Sequence, residues 1–150
     1  GDVLASPLQM VTMLSAVANG GEVLRPQVVR EVVDADGRLL RPFSKQVVRR
    51  VAVSPSNLAL VRQGMRESVR WGTAMEAQVP GVEVGGKTGT AEFGALDPRT
   101  GQRPTHGWTL VFAPFDNPRI ALVVFHEQGQ GALTAAPLAG KILKYYFSRH

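Results

Sequence analysis

Three glycines stand inside one strand-length run, residues 82–93, at positions 85, 86 and 89. Glycine in a strand interior loses backbone entropy and supplies no side chain to pack, so such a run implies that another backbone or a ligand comes close. Lys87-Thr88-Gly89-Thr90 lies in its middle. A cation, two hydroxyls and an unhindered backbone on one strand suit an anionic substrate lying alongside it.

The surrounding chain reads as a mixture of helices and strands. Ser6-Pro7-Leu8-Gln9 combines an N-cap serine, a proline at the first helical position and a glutamine that completes a capping box. Leu8, Val11, Leu14 and Val17 then recur at helical spacing and predict a buried face, which Asn19-Gly20-Gly21 brings to a stop. Residues 28–33 and 38–40 flank Asp34-Ala35-Asp36-Gly37 and predict a small antiparallel hairpin. Residues 46–53 read as a third strand. Ser54-Pro55 opens a second helix through Leu58, Val61, Met65 and Val69, and Gly72 ends it. Past the glycine-rich strand, residues 92–106 lack periodicity and read as a long loop of the functional or mobile kind. Residues 108–113 and 119–126, joined by Pro114-Phe115-Asp116-Asn117-Pro118, predict a hairpin. A last helix opens at Thr134 or Ala135, with Pro137 in its first turn and Leu138, Ile142 and Tyr145 or Tyr146 facing inward.

A formal charge of +5, from thirteen Arg and four Lys against 12 acidic residues, raises the question of a polyanionic partner. The charges are scattered: only Arg49-Arg50 are adjacent, and Arg62, Arg66 and Arg70 share one stripe of a predicted helix, the pattern of a solvated face. Nucleic acid is not an expected partner. The absence of cysteine removes disulfides, a thiol nucleophile and Cys-based zinc sites. His106 and His126 lie in separate segments without ligand spacing, so structural roles are expected for both, with neither metal nor cofactor. Glu92 and Glu127 read as solvated carboxylates at strand ends, and Trp71 and Trp108 as core or rim packing. No apolar run approaches the roughly 20 residues that span a bilayer. The start at Gly1-Asp2-Val3, with neither an initiator Met nor a leader, reads as a cut from something longer.

Lys87-Thr88-Gly89 resembles the Lys-Thr-Gly triad of the serine acyltransferases that include penicillin-binding proteins and class A β-lactamases. The resemblance covers essentially the whole chain in the order of class B penicillin-binding proteins, above all the elongation type, penicillin-binding protein 2. Residues 1–10 are similar to the family's Gly-Asp through Thr-Pro-Leu-Gln-Met stretch, with Ser6 in place of the commoner Thr. Ala18-Asn19-Gly20-Gly21 with Arg25-Pro26, Gly64-Met65 and Gly72-Thr73-Ala74 are similar to later segments. So are His106-Gly107-Trp108, Phe112-Ala113-Pro114, Asp116-Asn117-Pro118 and Glu127-Gln128-Gly129. Two companion motifs are missing: no serine has Lys three residues later and none has Asn two residues later.

The resemblance implies an α/β fold (α+β) of the serine β-lactamase and transpeptidase type, an antiparallel sheet with packed helices, present as its C-terminal half. Two N-terminal strands of the family's sheet would be absent, leaving residues 82–92, 107–113 and 119–127 as its other three. It implies part of a peptidoglycan D,D-transpeptidase that cross-links stem peptides and is acylated by β-lactams. The whole protein would be membrane-anchored, on the extracytoplasmic face of the cytoplasmic membrane, with cell-wall synthesis partners. Lys87 would be the cation for the substrate carboxylate and for proton traffic. Thr88 and Thr90 would hydrogen-bond that carboxylate, Gly89 would belong to the same substrate-binding strand, and the N–H of Thr90 would be one oxyanion donor. With the serine and its lysine elsewhere, the chain would be inert alone, and the uncovered strand at residues 119–126 would make an edge-strand dimer possible. Two other readings remain at this point: a non-catalytic scaffold on the same fold, and an unrelated basic binding domain.

Overall fold

The computed structural model describes residues 3–149, so Gly1 and Asp2 of the N-terminal resemblance lie outside it. Helix α1 (Pro7–Ala18) begins with the expected capping box: the Ser6 hydroxyl accepts from the Gln9 N–H at 3.3 Å, and the Gln9 side chain accepts from the Ser6 N–H at 2.8 Å. Its buried residues are Leu14, Ala16 and Ala18, whereas Leu8 is mostly exposed. The expected apolar face is therefore buried only toward its C-terminal end, where it meets the sheet.

Strand β1 (Glu22–Leu24) was not expected. The predicted hairpin forms from β2 (Glu31–Val33) and β3 (Leu39–Pro42), shorter than anticipated because Val28 and Val29 stay exposed outside it. β4 (Val47–Arg50) pairs antiparallel with β1, and the Glu22 carboxylate accepts from both Lys45 and Arg50 across that pair.

Helix α2 (Pro55–Trp71) is capped by the Ser54 hydroxyl, which accepts from the Asn57 N–H at 3.2 Å, and it ends at Gly72. Its arginine stripe is not a solvated face. Arg62 donates to the Phe115 carbonyl and lies 5.2 Å from that ring's centre, Arg66 lies 5.1 Å from it, and Arg66 and Arg70 both donate to Glu83. Arg66 and Arg70 clamp α2 to the chain just before the glycine-rich strand, and Arg62 ties it to the turn at Phe115. The two guanidinium groups hold the Glu83 carboxyl below the ordinary carboxylate range, chiefly through the Arg66 hydrogen bond.

That strand is β5 (Gly85–Glu92), followed by β6 (Thr105–Ala113) and β7 (Ile120–His126) in one antiparallel sheet of order β5-β6-β7. Alternation along β6 divides the interior. Leu110 and Phe112 face α1 with Leu14 and Ala18, while Val111 and Ala113 face the opposite side with Val69, Ala74, Ala77 and Val84. A π-helical turn (Gly131–Ala135) leads into the last helix, α3 (Ala136–Ser148), which covers that second side.

The inward face of α3 differs from the expected one. Leu138, Ile142 and Tyr145 point outward, and the buried residues are Ala136, Ala139, Gly140 and Leu143. Small residues win here because the helix rests directly on backbone: a β-carbon at Gly140 would lie 2.4 Å from the Glu76 carbonyl oxygen. Among the described residues no helix is long and apolar enough to cross a membrane.

Candidate functional site

The strand glycines do different things from one another. A β-carbon at Gly85 would lie 2.5 Å from the Phe112 ring, and one at Gly86 would lie 2.9 Å from both Val111 and Val69, so these two make room for side chains rather than for a second backbone. The close backbone approach is elsewhere. Gly131 presses onto the strand at Gly89, where a β-carbon on Gly131 would stand 2.4 Å from the Gly89 oxygen and 2.8 Å from its nitrogen. Gly131 is also tied by hydrogen bonds: its N–H donates to the Thr90 hydroxyl at 3.2 Å, and its carbonyl accepts from the buried Thr109 hydroxyl at 3.0 Å.

β5 is an edge strand, and an open groove of about 810 Å3 runs between it, Trp108 and Leu110 of β6, and the first two helices. Met10, Leu14 and Val17 of α1 and Val61 and Met65 of α2 form the apolar wall, and residues 87–91 of β5 form the other. Lys87 is the one charged side chain lining the groove among the described residues. No serine, histidine or carboxylate lines it among those residues. The geometry is thus a lone exposed cation at the rim of an apolar trough, where water screens an ion pair less than at an open surface.

All four motif residues reach this groove, but not with equal freedom. The Lys87 ammonium donates to the Thr88 carbonyl and is exposed. Thr88 is 8% exposed, and its hydroxyl lies 2.6 Å from that of Thr73 in the turn after α2. Thr90 is exposed, with its oxygen accepting from Gly131. As an edge strand, β5 leaves alternate N–H and C=O groups without a partner strand on its outer side.

The remaining residues singled out from sequence lie off the groove, apart from Trp108, which lines it and tilts against Phe125 with 4.5 Å between ring centres. His106 is stacked on Phe93 at 3.9 Å, and its Nδ1 accepts from the Gln128 N–H at 3.3 Å. His126 neighbours it across the sheet, paired with Gly107, and its Nδ1 is buried without a partner. Glu92 and Glu127 are exposed. Trp71 is exposed as well, contrary to the packing role expected of it. Neither the contact of Thr73 with the motif nor the approach of Gly131 to it is signalled locally: Thr73 stands out only within Gly72-Thr73-Ala74, and Gly131 carries no pattern of its own.

Comparison with known proteins gives the chain its family and its fold neighbours. The family model described as the penicillin binding protein transpeptidase domain matches residues 1–144. The chain is 34% identical over 134 residues to the peptidoglycan D,D-transpeptidase PbpA of Mycolicibacterium smegmatis, covering 89% of this chain and 26% of that protein. It is 36% identical over 136 residues to PbpA of Mycobacterium tuberculosis, with the same coverages of 89% and 26%. Among solved structures, the imipenem acyl-enzyme complex of penicillin-binding protein A from M. tuberculosis superposes with a TM-score of 0.83 at 30% identity, over 98% of this chain and 32% of that one. The chain therefore spans about a quarter of the length of these curated relatives.

Proposed function

This chain belongs to the penicillin-binding protein transpeptidase family, class B, and we propose that it is the substrate-carboxylate half of a peptidoglycan D,D-transpeptidase active site. The observation that carries this reading is the pairing of Lys87, the sole charge on the groove among the described residues, with a groove lining that holds no serine. The cation and the hydroxyls of Thr88 and Thr90 bind the terminal carboxylate of a stem peptide or of a β-lactam. The Thr90 N–H is one of two donors to the oxyanion of the tetrahedral intermediate, and the other is the N–H of the attacking serine.

That serine, and the lysine that takes its proton, come from outside residues 1–150. They enter the groove beside β5, attack the carbonyl of the substrate's penultimate residue, expel the terminal amino acid, and leave an acyl-enzyme for an amine of a neighbouring strand. The 150-residue chain is consequently inert by itself. In the full-length gene product the reaction takes place on the extracytoplasmic face of the cytoplasmic membrane, among cell-wall synthesis partners. When the chain is isolated, the open edge of β7 pairs with a second copy.

Labelling the full-length gene product with a fluorescent penicillin and mapping the adduct by peptide mass tests this reading. The label is expected on a serine outside residues 1–150. A label on Ser6, Ser15, Ser44, Ser54, Ser56, Ser68 or Ser148 would overturn it.

A further inference from the structure

The contact between Thr73 and Thr88 is a long-range one for two hydroxyls: it joins the turn after α2 to the centre of the motif strand at 2.6 Å. The turn that presents Thr73 is fixed on both sides. The Gly72 and Ala74 N–H groups both donate to the Ser68 carbonyl, at 3.1 and 3.0 Å, and Ala74 is fully buried in the core beneath α3. Gly72 fits closely there, since a β-carbon would stand 3.0 Å from the Ser68 Cα and carbonyl oxygen. Thr73 itself is exposed, so its hydroxyl is delivered to Thr88 by a rigid backbone and not by burial.

A hydroxyl has one proton to give and two lone pairs to fill. Thr90 already has a lone pair filled by the Gly131 N–H, and no protein acceptor takes its proton among the described residues. Among the described residues the Thr88 hydroxyl has Thr73 as its one partner. We propose that Thr73 is a positioning residue that donates to Thr88, so that Thr88, like Thr90, keeps its own proton aimed at the groove. The strand then presents two hydroxyl donors along with the Lys87 ammonium, each hydroxyl holding one lone pair occupied by a protein donor. Such a set favours a carboxylate, whose anionic oxygens accept charge-assisted hydrogen bonds about twice as strong as neutral ones, over an ester, a weaker neutral acceptor, or an amide, which brings donors of its own. This inference rests on the reading of β5 as the carboxylate-binding strand.

The test uses the full-length gene product and the rate of acylation by a β-lactam, measured for the free acid and for its methyl ester. Thr73→Val removes, at nearly constant shape, the hydrogen bond that holds the Thr88 hydroxyl in its orientation, and Thr73→Ser restores it. Thr73→Val is expected to lower the acid-to-ester rate ratio by about 3–10-fold, the size of one hydrogen bond, with Thr73→Ser returning it to wild type. A purely structural role would slow acid and ester alike and leave the ratio unmoved, which would overturn the proposal. Lys87→Ala separates the two layers of the argument. If it leaves the ratio unchanged, the carboxylate reading of β5 fails; if it lowers the ratio while Thr73→Val does not, that reading stands and the role of Thr73 falls.

Discussion

Gly131 lies over Gly89 so closely that a β-carbon on the former would sit 2.4 Å from the latter's carbonyl oxygen, inside any real contact distance. The approach joins the start of the α3 segment to the motif strand, backbone to backbone, and Thr90 and Thr109 tie it from either side. Gly131→Ala should therefore destabilise the fold by about 1–3 kcal/mol through overpacking against main chain that has no rotamer to change. Gly89→Ala meets only Trp108 Cβ at an ordinary 3.6 Å, so its stability effect should be smaller. Urea unfolding of the two variants would check the order.

The packing of α3 gives a second contrast. Leu143 is fully buried against the sheet, and Leu143→Ala should cost about 2–5 kcal/mol. Ile142 is 44% exposed, and Ile142→Ala should cost clearly less. Equal losses in thermal unfolding would mean that the helix is rotated from the orientation described.

Glu83 links stability to pH. Its folded-state pKa is lowered, first by the Arg66 hydrogen bond, so the clamp contributes stability that is complete above the ordinary carboxylate range and is lost as pH falls through the lowered folded value. Glu83→Gln should flatten part of the acid-side decline in urea midpoint between about pH 6 and about pH 3. The decline should not vanish, because Glu22 is lowered in the same way by Lys45 and Arg50. A decline identical to wild type would show that the clamp is electrostatically idle.

The edge of β7 predicts self-association of the isolated chain. β7 pairs with β6 on one side and with no other strand among the described residues, and every residue from Ile120 to His126 is only half-buried. A row of free N–H and C=O groups on an uncharged, β-branched strand favours pairing with a second copy. Sedimentation should show a dimer that grows with concentration. A monomer at all concentrations would mean that the edge is protected.

Much of this arrangement was readable from local chemistry. The caps at Ser6 and Ser54, the stop at Gly72 and the three sheet strands each depend on residues within a turn or two of one another. Lys87 to Thr90 stood out because cation, hydroxyls and glycine fall together in sequence. What stayed hidden depends on contacts between distant segments. The β1 and β4 pairing needs Glu22 to find Lys45 and Arg50, and three residues of β1 carry no periodicity of their own. The inward face of α3 was hidden because Gly140 packs on bare backbone and the small Ala139 in the core, while the larger Leu138 and Ile142 face out, so the hydrophobic pattern points the wrong way. The arginine stripe gave its charge but not its partners, Glu83 and the Phe115 carbonyl.

The most direct test of the account is the acylation rate of the full-length gene product carrying Lys87→Ala, compared with wild type under identical folding stability. Lys87 is exposed and its ammonium donates only to the adjacent Thr88 carbonyl among the described residues, so its loss should leave the unfolding midpoint nearly in place. Removal of a charge-assisted contact to the substrate carboxylate should lower the rate of acylation by a β-lactam acid by about 10–100-fold. An acylation rate equal to wild type, with the fold intact, would contradict the assignment of β5 as the carboxylate-binding strand.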